Sequence, residues 1–153
     1  MYSRILVAVD DSPHAEHAVE QAAGLARGLS AALRIIHVVD MGWLPLGPEL
    51  AIDVDAIATA RRAAGERVLA SACERARGAG IEAEIRLLET ATPTQRVAAA
   101  IADEAARWPA DVVVLGTRGR RVVERLLLGS VAEGVARRST VPVLLVPRHE
   151  ASR

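Results

Sequence analysis

Short apolar runs alternate with amphipathic helical stretches along the whole of this chain, and that alternation restricts the fold more than any other feature. The runs Ile5–Val9 and Leu33–Val39 flank a helical pattern over 13–30, whose apolar residues at 15, 18, 19, 22, 26 and 29 keep the 3.6-residue period. Ser12 and Pro13 predict its start, with Ser12 as N-cap and Pro13 at N1, where a missing N–H costs nothing. A second helix over roughly 53–79 sets Ile57, Ala64, Val68, Ala72 and Cys73 broadly on one side and ends at Gly78 and Gly80. Ile81–Leu88 alternates apolar with charged residues, which predicts one wet face and a place at a sheet edge. Thr92-Pro93 opens a third helix with Val97, Ile101, Ala105 and Trp108 as its stripe. Val112–Leu115 is apolar on both faces, a helix runs from about Gly129 to Ser139, and Pro142–Val146 is the last strand.

Strand–helix alternation implies an α/β fold, a five-stranded parallel sheet with helices on both faces and right-handed crossovers. The wholly apolar runs 5–9 and 112–115 belong at the centre and the alternating run at an edge, which the order 3-2-1-4-5 satisfies. Ligands of such sheets bind beyond the strands' C-terminal ends, where the order reverses, here between strands 1 and 4. Asp10 ends strand 1 and Gly116 follows strand 4, so both face one crevice. The segment 40–51, with Gly42, Pro45, Gly47 and Pro48 around Trp43, is the longest connection, a length that in compact domains is usually functional.

At 153 residues the chain is expected to form a single domain over 1–153. Acidic and basic residues balance at 19 each, so no global field attracts nucleic acid or a membrane surface. With no Phe and three other aromatics, Tyr2, Trp43 and Trp108, base-stacking platforms for single strands are lacking. One cysteine, Cys73, fits a reducing compartment, and the N-terminus has no secretory signal pattern. A cytoplasmic protein with neither nucleic-acid nor membrane partners is expected. His14, His17, His37 and His149 show no metal-ligand spacing.

The chemistry gathers at Gly116-Thr-Arg-Gly119, nine residues, then Gly129-Ser130. Glycines let backbone N–H groups approach a bulky anion, and a helix N-terminus adds unpaired N–H donors. Arg118, Arg120, Arg121 and Arg125 lie in the same loop, against the single acid Glu124. Neither the Walker A pattern nor a G-x-G-x-x-G after the first strand is present. Each residue also has a plain reading. Asp10 could merely flank a helix, Ser130 could be a helix cap, and the outer arginines could be a solvated face.

This arrangement resembles the ATP-binding branch of the universal stress protein family, whose fold is adenine nucleotide alpha hydrolase-like. The likeness rests on Ile5-Leu-Val-Ala-Val-Asp10-Asp-Ser12, His37-Val-Val39, the G-x2-G-x9-G-[ST] spacing, Val131–Ser139 and Val141–Val146. It implies that Asp10 and the backbone near Ala8 and Val9 contact adenosine and that Val38 borders the adenine. It further implies that Gly116, Arg118 and Gly119 line the ribose and phosphates, while Gly129, Ser130 and Val131 hydrogen-bond the phosphates. Mg accompanies ATP, with Asp10 as a candidate ligand. Ala132 departs from the family's second hydroxyl position, which removes one hydrogen bond worth about 0.5–1.5 kcal/mol. The resemblance also implies a homodimer through the exposed edge of Pro142–Val146, together with an unidentified protein partner.

Rapid hydrolysis needs a positioned water, a base and charge-neutralising groups around the γ-phosphate. The chain has no lysine and no general-base constellation. A nucleotide-dependent stress or signalling module, with slow or no turnover and no catalytic residues, is therefore the principal expectation. The alternatives are a slow ATP hydrolase or autophosphorylating enzyme using Asp10 and Ser130, and a nucleotide-free chaperone-like dimer.

Overall fold

The apolar runs expected to pair do so in one parallel sheet. The computed structural model describes residues 1–42, 53–92, 95–117 and 128–147. In chain order the elements are β1 (Arg4–Ala8), α1 (Pro13–Leu29), β2 (Ala32–Val39), α2 (Val54–Gly78) and β3 (Ala83–Glu89). These are followed by α3 (Val97–Arg107), β4 (Val112–Gly116), α4 (Ser130–Arg138) and β5 (Val143–Val146). The strand order is β3-β2-β1-β4-β5, every neighbouring pair parallel. Central β1 sets Ile5 against both Leu33 and Val112.

Burial explains why β1 and β4 are central. Ile5, Leu6, Val7, Val113 and Val114 are completely buried. Such strands need cover on both faces, and each aliphatic side chain buried this way stabilises by about 1.5–3 kcal/mol. On one face Ile5, Val7, Leu33 and Ile35 pack against α1 and α2. On the other, Leu6, Ile36 and Val113 pack against α3 and α4. Without Phe, close approach does much of the packing. A Cβ at Gly65 of α2 would stand 2.7 Å from Leu87 Cδ1 and 2.9 Å from His37 Cδ2, and one at Gly134 of α4 only 2.6 Å from Ala98 Cβ.

Several expectations shift. In α2 the buried stripe is Ala58, Gly65, Leu69, Ala72 and Ala76, so of the expected residues Ala72 is buried, Val68 packs partly buried against the core and Ala64 is exposed, because glycine and alanine admit the sheet most closely. Cys73 is only partly buried. β3 is indeed an edge strand, yet its alternation does not bury Ile85, which remains 48% exposed. Thr92 starts a turn, its carbonyl and hydroxyl oxygens both accepting from Gln95 N–H at 3.1 Å, but α3 itself begins at Val97. Pro93, in the expected helix start, lies outside the described residues, as do residues 43–51 of the long loop. The α3 stripe includes a residue that periodicity did not flag, the 1%-exposed Glu104. No helix among the described residues is long and apolar enough to cross a membrane.

Candidate functional site

Where the sheet order reverses, the chain leaves β1 and β4 in opposite directions and a cleft opens between them. Its volume is about 370 Å³. Ala8, Val9, Asp10, Val38, Gly116, Gly129, Ser130 and Val131 all line it. Eight of the ten residues expected at the site are thus brought together. Arg118 and Gly119 lie outside the described residues, as do Arg120, Arg121 and Arg125.

The β1 side is built around Asp10. Its Oδ1 accepts from Ser12 N–H at 2.9 Å and also from the Ser12 hydroxyl. Ser12 does occupy the N-cap position of α1, with extended backbone, but its hydroxyl makes no cap bond. The hydroxyl donates to the Asp10 carboxylate instead, and turning toward that charged acceptor takes its oxygen away from the first-turn N–H groups from which a cap would accept. The turn fixes the Asp10 carboxylate at the mouth of the cleft.

On the β4 side Thr117 is tied to both β5 and Gly129. Thr117 N–H donates to the Val146 carbonyl oxygen at 3.1 Å, and Gly129 N–H to the Thr117 carbonyl oxygen at 2.7 Å. Gly129 takes the N-cap position and Ser130 is the first residue of α4, so Ser130 is not the helix cap. Intrahelical bonding starts with Glu133 N–H, which donates to the Gly129 carbonyl oxygen at 2.9 Å. The N–H groups of Ser130, Val131 and Ala132 precede that bond, at the positive end of the helix dipole. All three residues line the cleft. A helix start of this kind can receive an anion.

Val38, Val97, Ile101 and Leu115 give the cleft an apolar wall as well. Three further polar residues line the cleft outside the expected site set, Ser12, His37 and Asp40. His37 adjoins Val38 in β2 and Asp40 directly follows that strand, as Ser12 follows Asp10, and that proximity was the available signal. Asp40 accepts from Gly42 N–H at 3.0 Å, while His37 Nδ1 lies 2.7 Å from the Val9 carbonyl oxygen. Among the described residues no group of three or more His, Cys, Asp or Glu is placed to hold a metal ion. Chemically, the cleft can take a molecule that has both an apolar part and an anionic part.

Residues 1–147 match the universal stress protein family. A Staphylococcus aureus (strain USA300) relative assigned to that family is 32% identical over 149 residues, covering 97% of this chain and 86% of the relative. The crystal structure of a universal stress protein family member from Burkholderia pseudomallei is 33% identical, with a TM-score of 0.77 over 96% of this chain and 97% of that one. Two similar structures are complexes. A universal stress protein with cAMP is 28% identical at TM-score 0.68, covering 97% and 98% of the two chains. The Archaeoglobus fulgidus universal stress protein with dAMP is 29% identical at TM-score 0.65, covering 94% and 97%. The sheet order, the glycine-bounded helix start facing Asp10 and these matches agree, and the chain belongs to the universal stress protein family.

Proposed function

We propose that this chain, one domain over 1–153, is a cytoplasmic ATP-binding module that signals through nucleotide occupancy rather than rapid hydrolysis. The observation that carries this reading is the convergence of Asp10, Val38, Gly116, Gly129 and Ser130 on one cleft, with three α4 N–H groups ahead of the first intrahelical bond. The apolar wall suits a purine, and the donors suit phosphate. That two similar proteins are complexes with cAMP and dAMP supports an adenine nucleotide as the ligand class.

The donor set also fits Mg-ATP. The Asp10 carboxylate is oriented at the cleft mouth, and Mg²⁺ bound chiefly by phosphate oxygens commonly takes one or two carboxylates. Gly116, Gly129, Ser130 and Val131 would hold the ribose and phosphates, with Arg118 and Gly119 closing the phosphate side. Bound Mg²⁺ would supply charge neutralisation. With no lysine in the chain, fast γ-phosphoryl transfer lacks one of its usual charge-neutralising groups. Leu144, 41% exposed on edge strand β5, favours a homodimer that covers this edge.

A thermal-melt titration tests binding. At a hundredfold excess of Mg-ATP over Kd the folded state gains about 2.7 kcal/mol. An unmoved midpoint at millimolar nucleotide overturns the reading. Sedimentation of Leu144→Arg tests the dimer, with a shift to monomer expected. Phosphate release that survives Asp10→Ala unchanged would mark any observed ATPase activity as contamination.

A further inference from the structure

At the base of the cleft the β1–β2 ladder stops in a particular way. One residue beyond β1, Val9 N–H still donates to the Ile36 carbonyl oxygen at 2.9 Å. In a parallel ladder the Val9 carbonyl would next accept from Val38 N–H. Instead it faces the side chain of the intervening residue, His37, whose Nδ1 stands 2.7 Å away. A carbonyl oxygen only accepts, so Nδ1 carries the proton. The ring is braced from behind, because α2 passes so close at Gly65 that an added Cβ would stand 2.9 Å from His37 Cδ2. Among the described residues Val38 N–H is thereby left without its ladder partner, and Val9, His37 and Val38 all line the cleft.

We propose that His37 is a positioning residue for nucleobase recognition: by engaging the Val9 carbonyl it keeps the Val38 N–H available as a donor to a ring nitrogen. This rests on the nucleotide reading above. The surrounding wall, Val38, Ile101 and Leu115, accommodates a flat heterocycle and offers no competing side-chain donor. A 6-aminopurine carries an acceptor at N1, whereas a 6-oxopurine carries an N–H there, which would oppose the Val38 N–H. The site therefore selects the 6-amino base.

The test uses the full chain and two variants. His37→Leu fills the space without a donor, and His37→Asn retains an N–H near the Nδ1 position. In nucleotide-free protein, amide hydrogen exchange at Val38 is expected to be fast in wild type and His37→Asn. In His37→Leu it should slow by roughly tenfold or more, as the Val9 carbonyl takes up the ladder bond. In calorimetric titrations wild type should bind Mg-ATP more tightly than Mg-ITP. His37→Leu should lose roughly three- to tenfold in ATP affinity together with that preference, and His37→Asn should keep both.

A Val38 amide already protected in nucleotide-free wild type overturns the proposal. So does a His37→Leu variant with unchanged exchange and an unchanged ATP-to-ITP ratio. If His37→Leu fails to fold, wild type decides: Val38 exchange that is fast alone and slowed by Mg-ATP supports the proposal, and exchange indifferent to Mg-ATP overturns it. Wild type that binds neither nucleotide overturns the nucleotide reading and the recognition role with it. The exchange comparison then still reports whether His37 holds the ladder open.

Discussion

At the N-terminal side of the sheet polar groups are bound to one another, whereas at the C-terminal side similar groups face a cleft. Asp111 Oδ2 accepts from the N–H groups of Ser3 at 2.7 Å and Arg4 at 2.9 Å, and Asp111 N–H returns a bond to the Arg4 carbonyl oxygen at 2.8 Å. Nearby, buried Glu104 receives Arg34 Nη1 at 2.9 Å on Oε1, while its Oε2 makes no hydrogen bond among the described residues and has Arg107 Nη1 at 3.6 Å. The Arg34 guanidinium lies 4.6 Å from the centre of the Trp108 ring. At the other end, Asp10 is oriented by a single short turn, and the first residues of α4, whose N–H groups precede the first intrahelical bond, line the cleft. Mutual satisfaction of buried polar groups stabilises a fold, and leaving such groups open prepares a site for a ligand that will satisfy them.

This contrast can be broken or sharpened by substitution. The largest effect is expected for Glu104→Ala, which strands Arg34, only 16% exposed, without its buried partner. Since Glu84 still reaches Arg34 at 2.7 Å, the loss should sit near the lower end of the range for broken buried pairs, about 3 kcal/mol by urea denaturation. The Mg-ATP affinity of the folded variant should hardly move. Next is Gly65→Ala, where a Cβ meets Leu87 and His37. Overpacking of about 1–3 kcal/mol is partly offset by up to ~1 kcal/mol of helix propensity. Here affinity should fall together with stability, because His37 is displaced.

Ser130→Ala should do the reverse of Glu104→Ala. Removing one phosphate hydrogen bond weakens Mg-ATP binding by about 0.5–1.5 kcal/mol, with an unchanged melting midpoint in nucleotide-free protein. The smallest effect concerns acid. Hydrogen bonds from Ser3 N–H and then Arg4 N–H hold the Asp111 carboxyl below its ordinary value of 3.8. A depressed carboxylate binds more protons unfolded than folded, so its stabilisation is complete above the ordinary carboxylate range. That contribution is lost as pH falls through the lowered folded value. Acid unfolding of Asp111→Asn, compared with wild type, should show a shallower loss of stability below about pH 4.

Much of this was legible in the residues. Ile5–Val9 and Val112–Leu115 announced central strands because both faces of such strands must be apolar. Asp10 and Gly116 could be placed at one crevice because strand ends and topology fix where chain reversals fall. Less legible were features in which distant residues choose one another. Ser12 carries a cap signature, but Asp10 claims its hydroxyl. Glu104 reads as a solvent-facing helix residue until β2 supplies Arg34. The α2 stripe is only partly legible, because hydropathy favours Ile57 and Val68 while Gly65, with no side chain to signal burial, is where the helix approaches the sheet most closely.

Strand order, crevice and family can be read from the residues alone, since local periodicity, turn chemistry and glycine spacing are encoded within a few residues of one another. Tertiary structure alone decided which polar groups are satisfied. His37 took the Val9 carbonyl, Arg34 took Glu104, and the first residues of α4 came to line the cleft. Hydrogen bonding is short-ranged and directional, so its partners are settled only when strands far apart in the chain are packed side by side.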